Sequence, residues 1–174
     1  MLIKVEDLTP KNIINFSAPV SMIEDGVCLL RSSAADGDND FFRELFDDNG
    51  ITRCLVAGNL LSVQYANDTD KENIKALVLA CMDEYIDCNE CFGVCKDSAD
   101  LSEKCEAVAD ALIRPTLNRD KGDIVILSVQ NGIMEVRFTG HCAGCPYAQN
   151  TLQNVIVRTF KRYLPQINDV KLKE

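Results

Sequence analysis

Apolar positions along the chain change period several times, and each change marks an element. Phe41, Phe42, Leu45 and Phe46 recur at helical spacing, and Asn49-Gly50 behind them offers the left-handed residue that ends a helix. Ile51–Ala57 and Leu60–Ala66 are β-rich runs on either side of Gly58-Asn59, which predicts a hairpin. Ile74, Leu77, Val78, Cys81, Met82 and Tyr85 fall on one face of a long helix. Upstream, residues 11–17 and Val27–Leu30 read as strands, and the small, acidic stretch Ser32–Asp40 reads as a loop.

Residues 88–100 interrupt the pattern and read as a linker. Leu101, Cys105, Val108, Ala109, Leu112 and Ile113 then line one face of a helix that Pro115 disturbs, because proline brings no backbone donor. Gly122-Asp123 turns the chain into a strand, Ile124–Val129. Asn131-Gly132, a strong two-residue hairpin signal, returns it as Ile133–Thr139. A helix is predicted from Tyr147 to Leu164, with Leu152, Val155, Ile156, Thr159, Phe160 and Tyr163 on its apolar face. Pro165 stops it, and Asp169–Leu172 reads as a last short strand.

The pattern predicts an α+β chain of two small domains. Residues 1–87 form an N-terminal antiparallel sheet with helices, residues 88–100 a cysteine-containing linker, and residues 101–174 a C-terminal α-β-β-α-β domain. A length of 174 residues suits that division. No apolar run approaches the roughly 20 residues of a membrane-spanning helix. The N-terminus, Met1 to Asp7, lacks a signal peptide's basic start, and its acidic residues argue against a transit peptide. These features set the expectation of a soluble, cytoplasmic protein.

Charge divides the chain in the same place. Residues 1–87 carry 7 Lys+Arg against 16 Asp+Glu, the whole net charge of −9, while residues 88–174 carry 11 of each. An acidic domain repels nucleic acid and anionic membranes, so neither is an expected partner.

Nine cysteines are many for an intracellular chain and point to metal chemistry. Cys28, Cys54, Cys81 and Cys105 lie on apolar strand or helix positions and read as packed thiols. Cys88, Cys91 and Cys95 stand in the linker. They form either a three-thiol metal or redox site, with Cys81 or Cys105 as a fourth ligand, or a buried stripe if the preceding helix runs on. Cys142 and Cys145 differ, because they stand in Gly140-His141-Cys142-Ala143-Gly144-Cys145-Pro146, between a hairpin and a predicted helix. A C-x-x-C turn lets two sulfurs face one ligand, whether iron, zinc or the other sulfur. A helix N-terminus behind them is expected to lower their pKa and favour the thiolate.

Residues 102–172 resemble the C-terminal domain of NifU-like proteins. The matching string runs through Val108, Leu112-Ile113-Arg114-Pro115, Leu117, Gly122-Asp123-Ile124 and Asn131-Gly132. It continues through Val136, Phe138, Gly140, Cys142 and Gly144-Cys145-Pro146. Residues 11–86 resemble, in order of elements, the N-terminal domain of Nfu-type proteins. The resemblance implies an iron–sulfur cluster carrier and no enzyme. Cys142 and Cys145 would be the cofactor ligands and hold a [4Fe–4S] or [2Fe–2S] cluster between the two subunits of a homodimer. Upstream assembly proteins and recipient apo-proteins would be its partners. The family's usual Asp-Gly-Gly-Asp is Asp120-Lys121-Gly122-Asp123 here, so the turn is expected to differ.

Two other functions compete. A thiol–disulfide oxidoreductase would use the same pair, but it expects βαβ context where this chain has an antiparallel hairpin. A zinc-stabilised interaction module would rest on the linker cysteines. His141, the sole histidine, is poorly placed to activate Cys142, and no catalytic constellation appears. Arg158, Lys161 and Arg162 near the end of the last helix balance its dipole or meet an acidic partner.

Overall fold

The computed structural model describes residues 2–8, 11–31, 40–47, 50–67, 69–87, 99–147, 150 and 152–173. The expected linker, with Cys88, Cys91 and Cys95, lies outside them but for its last two residues. The chain is α+β and divides into two compact units, Met1–Ala99 and Asp100–Glu174.

In the first unit, strands β1 (Lys4–Leu8), β2 (Ile13–Ser17), β3 (Val27–Arg31), β4 (Ile51–Ala57) and β5 (Leu60–Tyr65) form one sheet in the order β1-β2-β5-β4-β3. Every pairing is antiparallel. Helices α1 (Asp40–Phe46) and α2 (Lys71–Asp87), with Ala18, Met22 and Ile23 between β2 and β3, add to its core. Successive strand side chains face opposite sides, so Ile14 and Phe16 of β2 join Cys54 and Val56 of β4 in one cluster with Phe41, Leu45, Val78 and Met82. The Tyr85 hydroxyl accepts the Phe41 amide at 2.8 Å, tying α2 to the start of α1.

β1 was not predicted. Its sequence, Lys-Val-Glu-Asp-Leu, has no alternation to read, because it is an edge strand with its first three residues exposed. Cys54, Cys81 and Cys105 are buried free thiols, as packed hydrophobes should be. Burial pushes the Cys81 thiol up to about 11 and that of Cys105 up to about 12, which keeps both protonated and unreactive at neutral pH. Cys28 is equally buried, but the expectation of a simple packed thiol is corrected: it is disulfide-bonded.

The second unit opens with α3 (Leu101–Val108), whose N-cap Asp100 accepts the Glu103 amide at 2.8 Å. A π-helical turn, Ala109–Ile113, joins it to α4 (Arg114–Arg119). The disturbance expected at Pro115 is this widened turn, in which the Arg114 amide donates to the carbonyl of Ala109, five residues back. The extra residue makes room where the proline ring would otherwise strike the preceding turn.

Strands β6 (Gly122–Gln130), β7 (Ile133–Gly140) and β8 (Asp169–Leu172) form a three-stranded sheet in that order, β6 antiparallel and β8 parallel to β7. Asn131 and Gly132 turn the hairpin at φ of 52° and 75°, a pair of positive values that glycine and asparagine take most cheaply. Met134, Val136 and Phe138 alternate into the buried side of the sheet, and Val108, Ile113, Ile156 and Phe160 are buried with them. Between the hairpin and β8 the chain forms a second π-helical turn, Leu152–Val157, and α5 (Arg158–Tyr163).

Candidate metal centre

Cys142 and Cys145 lie on the turn that follows β7, both half-buried and both free. Main-chain bonds hold this turn. The His141 amide donates to the Lys121 carbonyl at 3.0 Å, the Ala143 amide to Gly140 at 3.1 Å, and the Cys145 amide to Cys142 at 3.4 Å. The first of these bonds sets the cysteine turn beside the start of β6. The two thiols therefore owe their place to backbone geometry, and their side chains are left to do chemistry.

Gly122 is the residue against which Cys142 rests. A Cβ built there would overlap Cys142 Sγ and stand 3.0 Å from its Cβ, tighter than nearly all packed carbons sit. Glycine is required at 122 for this close approach. Lys121, where the family's glycine would stand, takes a φ of 56°. A residue with a Cβ pays about 1–2 kcal/mol in that region, against the roughly 0.5–1 kcal/mol that glycine loses in chain entropy. Lys121→Gly is therefore expected to raise stability by up to about 1.5 kcal/mol. A fall in the denaturation midpoint of that variant would show that the lysine side chain contributes something the backbone does not.

Behind Gly122 sits a group that the motif contained without revealing its role. Arg114 is buried, and its Nη1 donates to Glu106 Oε2 and Asp110 Oδ1, both at 2.8 Å. Its Nε and Nη2 donate to the Ile124 carbonyl at 3.3 and 3.1 Å, and Nε lies 3.4 Å from Asp123 Oδ1. The Ile124 amide in turn donates to Asp123 Oδ1 at 2.8 Å. One guanidinium thus fastens the helical layer to the first residues of β6. The signal was legible in principle: Glu106, Asp110 and Arg114 are spaced by four, so they stack on one helical face.

The expected lowering of the thiol pKa is corrected. Pro146 and Tyr147 lie in a turn, and described helical residues resume only at Asn150, so no helix begins at Tyr147 behind the cysteines. Burial pushes the Cys142 thiol up, and the nearby Cys145, Asp120 and Asp123 push it further. His141 is exposed. Among the described residues no group of three or more His, Cys, Asp or Glu side chains converges on a point where a metal ion would sit.

Residues 106–171 match the NifU-like domain family. The chain is 37% identical over 62 residues to the NFU1 iron-sulfur cluster scaffold homolog, mitochondrial, of Drosophila persimilis, a match covering 36% of this chain and 22% of that protein. It is 22% identical to the protein of the same name from Drosophila virilis, over 98% of this chain and 61% of that one. To the Homo sapiens protein it is 24% identical, over 98% of this chain and 71% of that one. The match thus spans less than two thirds of either fly relative. The solution structure of a NifU-like protein from Saccharomyces cerevisiae covers 56% of this chain and 86% of its own, at 10% identity and a TM-score of 0.47, a likeness too slight to carry a conclusion.

Residues 106–171 form a NifU-like domain, and the chain as a whole is similar to the NFU1 scaffold homologs over nearly all of its length. One expectation falls with these comparisons. The cytoplasmic placement is overturned, because the relatives that the chain matches are named as mitochondrial proteins.

Proposed function

We propose that this protein is a scaffold that holds an iron–sulfur cluster as cargo on Cys142 and Cys145, shares it between two copies of the chain, and passes it to apo-proteins. The observation that carries the reading is two free, half-exposed thiols, three residues apart, on a turn fixed by its own main chain. The relatives named as cluster scaffolds support it.

Ligand count argues for sharing. A cluster takes four protein ligands, usually thiolates. One turn supplies two, and a second copy supplies two more. A cluster at such a junction meets solvent and can leave, which suits cargo. Burial raises the Cys142 thiol, which disfavours the unaided thiolate. A bound metal ion instead draws off the proton itself. On this reading the protein is not an enzyme.

Anaerobic reconstitution with iron and sulfide tests the proposal. The product is expected to be brown, to elute as a dimer and to carry about one cluster per two chains, a ratio set by the ligand count. Mössbauer spectroscopy of that fraction distinguishes [4Fe–4S], the form expected, from [2Fe–2S]. Chelating the iron is expected to return the protein to monomer, since cluster binding appears as association energy. A monomer with a complete cluster, or a colourless zinc protein, would overturn the reading.

A further inference from the structure

The second unit carries a small basic groove that neither Cys142 nor Cys145 lines. Leu112, of the first π-helical turn, faces Arg158, Thr159, Arg162 and Tyr163 of α5 around a cavity of about 260 Å³. Leu112, Thr159 and Tyr163 are half-buried, and the two arginines stand exposed at the rim. The cavity falls below the roughly 300–1,000 Å³ of small-molecule sites. It has room for one large side chain of a polypeptide.

Its charge is anomalous for this molecule. The chain is acidic overall, yet between Glu135 and Asp169 it has no acidic residue, and Arg137, Arg158, Lys161 and Arg162 all fall there. Arg158, Lys161 and Arg162 share one side of a single helix, at spacings of three and four. Among the described residues none of the three has a carboxylate partner. Arg162 is nevertheless positioned, because its guanidinium lies 5.2 Å from the centroid of the Tyr163 ring. Dipole compensation at a helix C-terminus is worth about 0.3–1 kcal/mol per cation. It does not account for cations clustered around a cavity whose apolar wall is Leu112 and the Tyr163 ring.

We infer that this groove docks an acidic segment of a partner protein, with one large apolar side chain seated on Leu112 and Tyr163 and flanking carboxylates paired with Arg158 and Arg162. Charge complementarity selects the partner, because like charge at the rim rejects a basic segment. Exposed ion pairs are individually weak, about 0.2–1 kcal/mol each. The apolar side chain must therefore contribute, and binding should weaken as salt screens the pairs. The inference stands whether or not the cysteine pair holds a cluster.

The test is a titration of the isotope-labelled full chain with a synthetic peptide, acetyl-Asp-Glu-Leu-Leu-Glu-Asp-amide, followed by amide NMR shifts. Shifts are expected at Leu112 and along Arg158–Tyr163, with affinity reduced tenfold or more by the Arg158→Glu/Arg162→Glu double variant and by replacing the peptide leucines with serine. Both arginines are exposed, so the fold should survive, and the milder Arg158→Gln/Arg162→Gln pair is expected to give an intermediate loss. No shift at these residues, or equal binding by the charge-reversed variant, would overturn the proposal. Shifts at the same residues on raising the protein concentration without peptide would also overturn it, by assigning the groove to a second copy of the chain.

Discussion

The Cys145→Ser variant is expected to hold no cluster while keeping the wild-type fold, and Cys142→Ser the same. A hydroxyl is a harder and far less acidic donor than a thiol, and iron–sulfur clusters are held by soft thiolates. With one cysteine gone, two chains offer two thiolates in place of four. The fold should not notice, because main-chain bonds hold the turn and neither sulfur belongs to the packed core. A half-exposed change of this kind falls within about ±0.5 kcal/mol. Iron and sulfide content after anaerobic reconstitution, with circular dichroism beside it, checks both halves. Wild-type iron in Cys145→Ser would mean that the ligands lie elsewhere. Cys88, Cys91 and Cys95 are the obvious alternative. Replacing all three with serine is expected to leave the iron content intact, so loss of half or more of it would show that they supply ligands.

The elements legible in the sequence were those whose periodicity the core enforces. β4 was read as Ile51–Ala57 and β8 as Asp169–Leu172, and each is found with those bounds. Both strands border the core of their unit, and turn residues or a proline mark their ends. β1 was not legible, because an edge strand with little burial leaves no hydrophobic pattern. Pro146, expected to open the last helix, lies in a turn instead. It reads equally well as a first helical residue or as a turn residue. The pair at 142 and 145 was legible because spacing alone brings two sulfurs to one turn. The surface beneath it was not. Gly122 lies twenty residues upstream of Cys142, and only the hairpin register, which pairs Gly122 with Gly140, brings the two together. Arg114 looked like part of a helical motif. Its task of holding the Ile124 carbonyl is a long-range contact with no local signature.

Arg114→Ala is expected to cost about 3 kcal/mol, the largest stability effect in the second unit. The guanidinium is 9% exposed and joins Glu106 and Asp110 to the Ile124 carbonyl of β6. Without it the Ile124 carbonyl loses its donors, which costs about 1–3 kcal/mol for a buried group. The carboxylates then face one another without a cation. Glu106 and Asp123 are each 41% exposed, so water relieves them. Asp110 is 14% exposed and bears most of the penalty. That partial relief keeps the estimate at the lower end of the roughly 3–5 kcal/mol seen when a fully buried pair is broken. Arg114→Lys should recover only part of the loss, because an ammonium cannot span two acids and a carbonyl as a planar fork does. The effect should be local. Hydrogen exchange should quicken in β6 and β7 and stay unchanged in β4 and β5 of the first unit. Gly122 precedes Ile124 by two residues, so a loosened strand start also frees the surface on which Cys142 rests, and cluster retention should fall with it. A loss below about 1 kcal/mol, the range of an ordinary exposed pair, would mean that the hydrophobic core alone fixes β6. Arg114 would then have no part in placing the cysteine turn.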